Sequence, residues 1–240
     1  MVFPKVQLES GLNNTKNKTK MINNIPRYSK IPHISGSNIL DPDDIISNET
    51  TKEKYHIYEK IDGANCRMGF DETAILGNRD HILNKGYIKK ETPAKLQFRS
   101  AWNFIYENKE NFIRINDIFN DVVIVYGEWM YARHSFEYNL PTYFIPFDGY
   151  LTNFKRFVNK NELDIIKEKL NSPDLYIGDY TINDAIVLSN TKPSLFREKM
   201  EGIIIRDTND YNIKYKYVNP FFSRRQDFQD ILIKNKKISI

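Results

Sequence analysis

Residues 121–131, DVVIVYGEWMY, run through β-branched and aromatic side chains without a polar break until Gly127 and Glu128. Continuous apolar character without period-two alternation marks a strand buried on both faces. Shorter β-favouring runs precede it: YHIYEKI (55–61), ANCRMGF (64–70) and TAILGN (73–78), broken at Gly63 and near Asp71. YFIPFDGY (143–150) reads as a further strand, and EGIIIR (201–206) with YNIKYKYV (211–218) as a strand pair. Between them, Phe98, Trp102, Ile105 and Tyr106 recur at helical spacing and predict a helix over 94–108. Leu163, Ile166 and Leu170 do the same over 159–170. A final helix is expected from Pro220, a good first-turn residue, burying Phe221, Phe228, Ile231 and Leu232. The pattern is α+β, with mainly antiparallel sheets and flanking helices in one domain over residues 27–240. Residues 1–26 are expected to be a flexible extension, because 10–24 are rich in Asn, Lys and Thr and nearly devoid of apolar side chains.

With 240 residues, 40% of them hydrophobic, the chain has the material for a sizeable core. Its net charge of +4 is too small to name a polyanionic partner unless the cations cluster. The single cysteine, Cys66, excludes an internal disulfide and a Cys-rich metal site, and is expected to pack in a strand. MVFPKVQLES lacks the apolar run of a secretory signal, and no stretch is long enough for a membrane span. An intracellular location, cytoplasmic or nuclear, is the expectation, with no membrane partner.

The residues with chemical meaning stand at strand ends. KIDG (60–63) offers Lys60, whose amine, once neutral, can attack phosphorus and hold a nucleotide as a phosphoramidate. Gly63 permits a tight turn and close approach of backbone to ligand. YGEW (126–129) ends its strand in Glu128, and EGIIIR opens with Glu201. Two such carboxylates directed into one cleft could hold Mg²⁺ or Mn²⁺ on a triphosphate, directly or through water. In IKYKY (213–217), period two sets Lys214 and Lys216 on one face, with Ile213, Tyr215 and Tyr217 on the other. Each piece alone also fits a solvated strand end or face.

Taken in order, KIDG, YGEW, YFIPFD, EGIIIR and IKYK resemble the covalent nucleotidyltransferases, which include DNA ligases, RNA ligases and capping guanylyltransferases. EKIDGAN (59–65) and 127–150 look closest to ATP-dependent RNA ligases that seal nicks, and the resemblance covers about residues 27–222. It implies an ATP-grasp-like adenylylation domain in which Lys60 accepts AMP covalently from ATP. Glu59, Asn65 and Arg79 would contact the nucleotide, Glu128 would hold the ribose hydroxyl, and Phe147 would stack on adenine. Glu128 and Glu201 would place the metal ion, and Lys214 and Lys216 would bind the phosphates. AMP would then pass to a 5′-phosphate, and a 3′-hydroxyl would expel it, joining the ends of RNA or an RNA-containing duplex.

Two departures from the family pattern stand out. Asp62 occupies a position where several nick-sealing RNA ligases have histidine, which keeps a compact DNA ligase in play. About 20 residues follow the last motif, too few for a C-terminal OB module. A non-catalytic nucleic-acid-binding relative of the fold is the alternative from another class. His33 and Ser37 in PHISGS could touch nucleic acid or form a plain loop equally well, whereas a structural role is favoured for Arg133 and His134 and a solvated helix face for Arg224 and Arg225.

Overall fold

The computed structural model describes residues 25–37, 45–46, 53–83, 98, 100–131 and 139–222. Among these, the strands are β1 (His33–Ile34), β2 (Ile45–Ile46), β3 (Tyr55–Lys60), β4 (Ala64–Asp71), β5 (Thr73–Asn78), β6 (Val123–Trp129), β7 (Phe144–Leu151), β8 (Arg156–Phe157), β9 (Tyr176–Tyr180), β10 (Gly202–Arg206) and β11 (Lys214–Val218). The helices are α1 (Ala101–Glu107), α2 (Lys109–Phe119), α3 (Lys160–Lys169) and α4 (Ile182–Thr191). No helix among the described residues is long and apolar enough to cross a membrane.

The strands form two sheets, ordered β2-β1-β11-β10-β3-β9 and β5-β4-β6-β7-β8. Pairing is antiparallel except where β1 lies parallel to β11 and to β2. In the first sheet, Ile57, Ile203, Ile205 and Tyr217 face a core closed by Ala185 and Leu188 of α4. In the second, Cys66, Met68, Val123, Val125 and Trp129 pack with Trp102, Ile105, Phe112, Ile115 and Ile166 from α1, α2 and α3. β6 is therefore covered on both sides, as its composition requires. Its other face packs Ile124 and Tyr126 against Tyr28. There the segment from Ile25 is docked by hydrogen bonds from Arg67 Nη1 to the Pro26 carbonyl (3.1 Å) and from the Tyr126 hydroxyl to the same oxygen (2.5 Å).

The helix over 159–170 forms as α3. Asn159 caps it, accepting from the Glu162 N–H while the Glu162 side chain returns a bond to the Asn159 N–H. Of the helix expected over 94–108, 84–97 and 99 lie outside the described residues. The buried stripe runs through Phe98, Ala101, Trp102 and Ile105, which leaves Tyr106 on the flank, 42% exposed. Ile213 also departs from expectation, at 43% exposed. The β10–β11 ladder ends at the Arg206–Lys214 rung, so Ile213 lies beyond the pleat that buries Tyr217. Pro220 and Phe221 form a turn; Phe221 is exposed, and Phe222 is the buried aromatic. The remainder of the expected final helix, with Phe228, Ile231, Leu232, Arg224 and Arg225, lies outside the described residues, as do residues 1–24, Arg133 and His134.

Candidate active site

β3 ends at Lys60, and the ladder to β10 pairs Lys60 with Gly202, Tyr58 with Ile204 and His56 with Arg206. On the far side of β10, Ile204 pairs with Lys216 and Arg206 with Lys214. Alternation thus gathers Lys60, Tyr58, Ile204, Lys216, Arg206 and Lys214 on the face away from α4. Opposite stands the second sheet, where Asn65 of β4 pairs with Glu128 of β6. Between the two lies a cavity of about 230 Å³ whose walls include Lys60, Asn65, Arg79, Glu128, Phe147 and Lys216. Lys60 donates to the carboxylate of Glu201, which is fully buried. At the turn into β4, a Cβ on Gly63 would come within 2.7 Å of Met130 Sδ and 3.1 Å of Glu128 Oε2. Glycine is what lets the Lys60 turn and the Glu128 strand approach. Asn65 Oδ1 is buried in the cavity wall with no hydrogen-bond partner among the described residues. A ligand donor would satisfy it.

A second polar group lies beside Phe147. Asp148 is fully buried, and its Oδ2 accepts from Tyr28 (2.9 Å), Lys214 (2.8 Å) and both terminal nitrogens of Arg206 (3.3 Å each). Burial pushes the Lys214 ammonium below its ordinary range, an effect that Asp148 opposes. Burial raises the Tyr28 phenol, leaving it a neutral donor. Lys214 Nζ also bonds the Tyr28 oxygen at 2.7 Å.

A family model described as RNA ligase matches residues 53–219. The chain belongs to the RNA ligase family. No curated protein matches the sequence. Among solved structures, an RNA ligase of Naegleria gruberi shares the fold. One apo variant matches with a TM-score of 0.54 and 17% identity, covering 87% of this chain and 57% of that one. A variant with ATP and Mn gives the same score and identity, covering 87% and 58%. The form with PPi gives 0.54 and 16%, covering 89% and 58%. The chain thus spans less than three-fifths of that ligase's length.

Within this RNA ligase fold, the structure brings most of the residues expected from sequence to one cavity. Glu59 is among its lining residues, yet its carboxylate turns away: it accepts from the Ser194 hydroxyl and from the Leu195 N–H at 2.7 Å. Burial raises the Glu59 carboxyl, and the Ser194 and Leu195 bonds hold it back. Glu201 and Lys214 are not lining residues; Glu201 is engaged by Lys60, and Lys214 by Asp148 and Tyr28. Tyr28, Asp148 and Arg206 escaped the sequence reading, although Asp148 and Arg206 stand inside YFIPFD and EGIIIR. Their signal was weak: Arg206 ends β10, where a charged residue reads as solvated until its partner is known, and the partners that bury Asp148 come from other elements, Tyr28 among them. Lys167 of α3 is a further cavity residue, buried and held by Asp174 at 2.7 Å. Among the described residues no three His, Cys, Asp or Glu side chains converge as a metal cage.

Proposed function

We propose that this member of the RNA ligase family is an ATP-dependent ligase that adenylylates Lys60 and then joins 5′-phosphate and 3′-hydroxyl ends, RNA in preference to DNA and at nicks in duplexes. The observation that carries the reading is the Lys60–Glu201 pair, opening onto a cavity walled by Phe147, Asn65, Glu128 and Lys216. Phe147 offers an aromatic face to the base, Asn65 and Glu128 offer polar atoms to the sugar, and Lys216 and Arg79 offer charge to the phosphates. Glu59 serves through the strand that carries Lys60. Lys214 reaches the phosphates only by leaving Asp148. Mg²⁺ or Mn²⁺ held by Glu201 and Glu128 would neutralise charge on the triphosphate.

An ammonium has no lone pair, so a proton must leave Lys60 Nζ before attack, and the Glu201 carboxylate is the group in contact with it. The N–P bond to the α-phosphate forms as the bond to the bridging oxygen breaks, and pyrophosphate leaves. A 5′-phosphate oxygen then displaces Lys60 from the adenylyl phosphorus. Finally a 3′-hydroxyl attacks the activated 5′-phosphate and AMP departs. Alignment and preorganised charge carry the rate in all three displacements.

The test is incubation with α-labelled ATP and a divalent cation, followed by sealing of nicked duplexes that differ only in the sugars flanking the break. A protein–AMP adduct that survives alkali and is released by acid, as a lysyl phosphoramidate requires, should form on the wild type and be absent from Lys60→Met. A fully labelled Lys60→Met protein would refute the nucleophile. Equal or faster sealing of the all-DNA nick would replace the RNA preference with a DNA ligase reading, which Asp62 already favours.

A further inference from the structure

β6 and β7 pair continuously except at one place. The register shifts between Tyr126 and Gly127: Tyr126 pairs with Asp148 and Gly127 with Pro146, so Phe147 has no partner on β6. A bulged residue loses its share of the ladder, and its main chain needs another anchor. That anchor comes from the opposite sheet. Arg206 Nη2 donates to the Phe147 carbonyl at 2.6 Å while the same guanidinium bonds the Asp148 carboxylate. Two consecutive residues of β7 are thus held by one planar fork from β10.

The ring of Phe147 is held separately. It packs on Tyr28 with centroids 5.0 Å apart, and the Tyr28 hydroxyl bonds Asp148 and Lys214. Main chain and ring therefore lead back to the same buried group, whose members come from β7, β10, β11 and the segment before β1. Arg206 is itself sandwiched, with its guanidinium 4.2 Å from the Tyr211 ring centroid and its Nη1 on the Tyr211 carbonyl. Arginine alone among the basic side chains offers a rigid fork to a carbonyl and a carboxylate at once.

We propose that Arg206 is a positioning residue for the nucleobase: with Asp148, Tyr28 and Lys214 it fixes the bulged Phe147 as the platform on which the base stacks. This rests on the nucleotide-site reading above. Arg206 and Tyr28 are also among the residues lining the cavity, but both terminal nitrogens of Arg206 are taken by Asp148 and by the Phe147 and Tyr211 carbonyls. Arg206 therefore acts through Phe147 and not on the phosphates, so its contribution to nucleotide affinity exists only while the Phe147 ring is present. Lys214 belongs to the same device by its bonds to Asp148 and Tyr28.

The experiment is a double-mutant cycle read by calorimetric titration with α,β-methylene-ATP, which binds without being cleaved at the α-phosphate. Arg206→Lys should weaken binding about tenfold in the wild-type background and less than about twofold in a Phe147→Ala background, since residues acting as a unit are non-additive. Tyr28→Phe keeps the ring against Phe147 and removes only the hydroxyl. It should show the same background dependence at about threefold, and it serves if Arg206→Lys does not fold. Equal losses in both backgrounds would mean that Arg206 reads the nucleotide directly, and would overturn the inference, as would unchanged affinity on the wild-type background. A folded wild type that does not bind α,β-methylene-ATP would overturn both this inference and the reading it rests on.

Discussion

Gly202→Ala is the sharpest test of the strand register that builds the site. Gly202 sits in the middle of the first sheet, facing Lys60 on β3 and Val218 on β11. A Cβ built there would lie 2.0 Å from the Tyr217 carbonyl oxygen and 2.9 Å from Val218 Cα. Both obstacles are backbone, so no rotamer change relieves them, and β10 and β11 must part by about 1 Å at this rung. Neighbouring strands sit about 4.8 Å apart, so that displacement breaks the local ladder. Losing one or two backbone bonds at about 1 kcal/mol each, with about 1–2 kcal/mol of overpacking, gives a loss of about 2–4 kcal/mol. Urea denaturation should show it as a lower midpoint with an unchanged slope. Lys60 labelling should fall as well, because Glu201 precedes the displaced residue. Gly149→Ala is the control: its Cβ would meet the ends of Ile166 and Val158, 2.8 and 3.1 Å away, and these side chains can yield. A Gly202→Ala protein within about 0.5 kcal/mol of wild type would refute the pairing of β10 with β11.

Three further outcomes follow from buried or paired groups. Asp121 is buried and accepts from Thr152 Oγ1 (2.9 Å), the Asn153 N–H (3.0 Å) and the Phe154 N–H (3.2 Å), so Asp121→Ala should lower stability in urea by about 2–3 kcal/mol and leave the ATP dependence of labelling unchanged. Cys66 is fully buried, which pushes its thiol well above the ordinary range. Ellman's reagent should find it unreactive in native protein and stoichiometric in denaturant, and fast native reaction would contradict the packing of β4. The bidentate Arg156 holds the Glu162 carboxyl below its ordinary range. The lower folded value means that this pair's contribution is complete above about pH 5 and is lost as pH falls through that value, so Glu162→Gln should flatten the acid limb of a stability–pH curve.

What was legible in the sequence is what depends on local pattern. The cap at Asn159 and the stripe Leu163, Ile166, Leu170 announce α3, and the unalternating run of β6 announces a strand with two covered faces. α2 was not foreseen because only Asn108 separates it from α1 and it buries only Phe112 and Ile115. α4 is built from INDAIVLSNT, whose β-branched residues are poor helix formers in isolation. Its helix is secured by the Thr181 cap and by Ala185 and Leu188 packing under the first sheet. β9, YIGDY, shows no alternation, since it is an edge strand with no fully buried residue.

The site divides along the same line. Lys60, Glu128 and Glu201 could be named from sequence because each stands at or beside the end of a strand, and Lys216 because period two sets it on one face of its strand with Lys214. Lys214 shows where that reasoning stops. Period two correctly puts it on the same face as Lys216, but two residues along a strand is about 6.8 Å, enough to change the whole environment. Lys216 stands on the Ile204 rung, in the cavity; Lys214 stands on the Arg206 rung, against Asp148. Two cations there would repel unless an anion lay between them, and the residue that supplies it comes from the other sheet, at a bulge. No periodicity along a single strand encodes which residue of a facing sheet arrives opposite it. That pairing is set by how the two sheets stack, and it decides whether a lysine on the cleft face lines the cavity or is held by a carboxylate beside it.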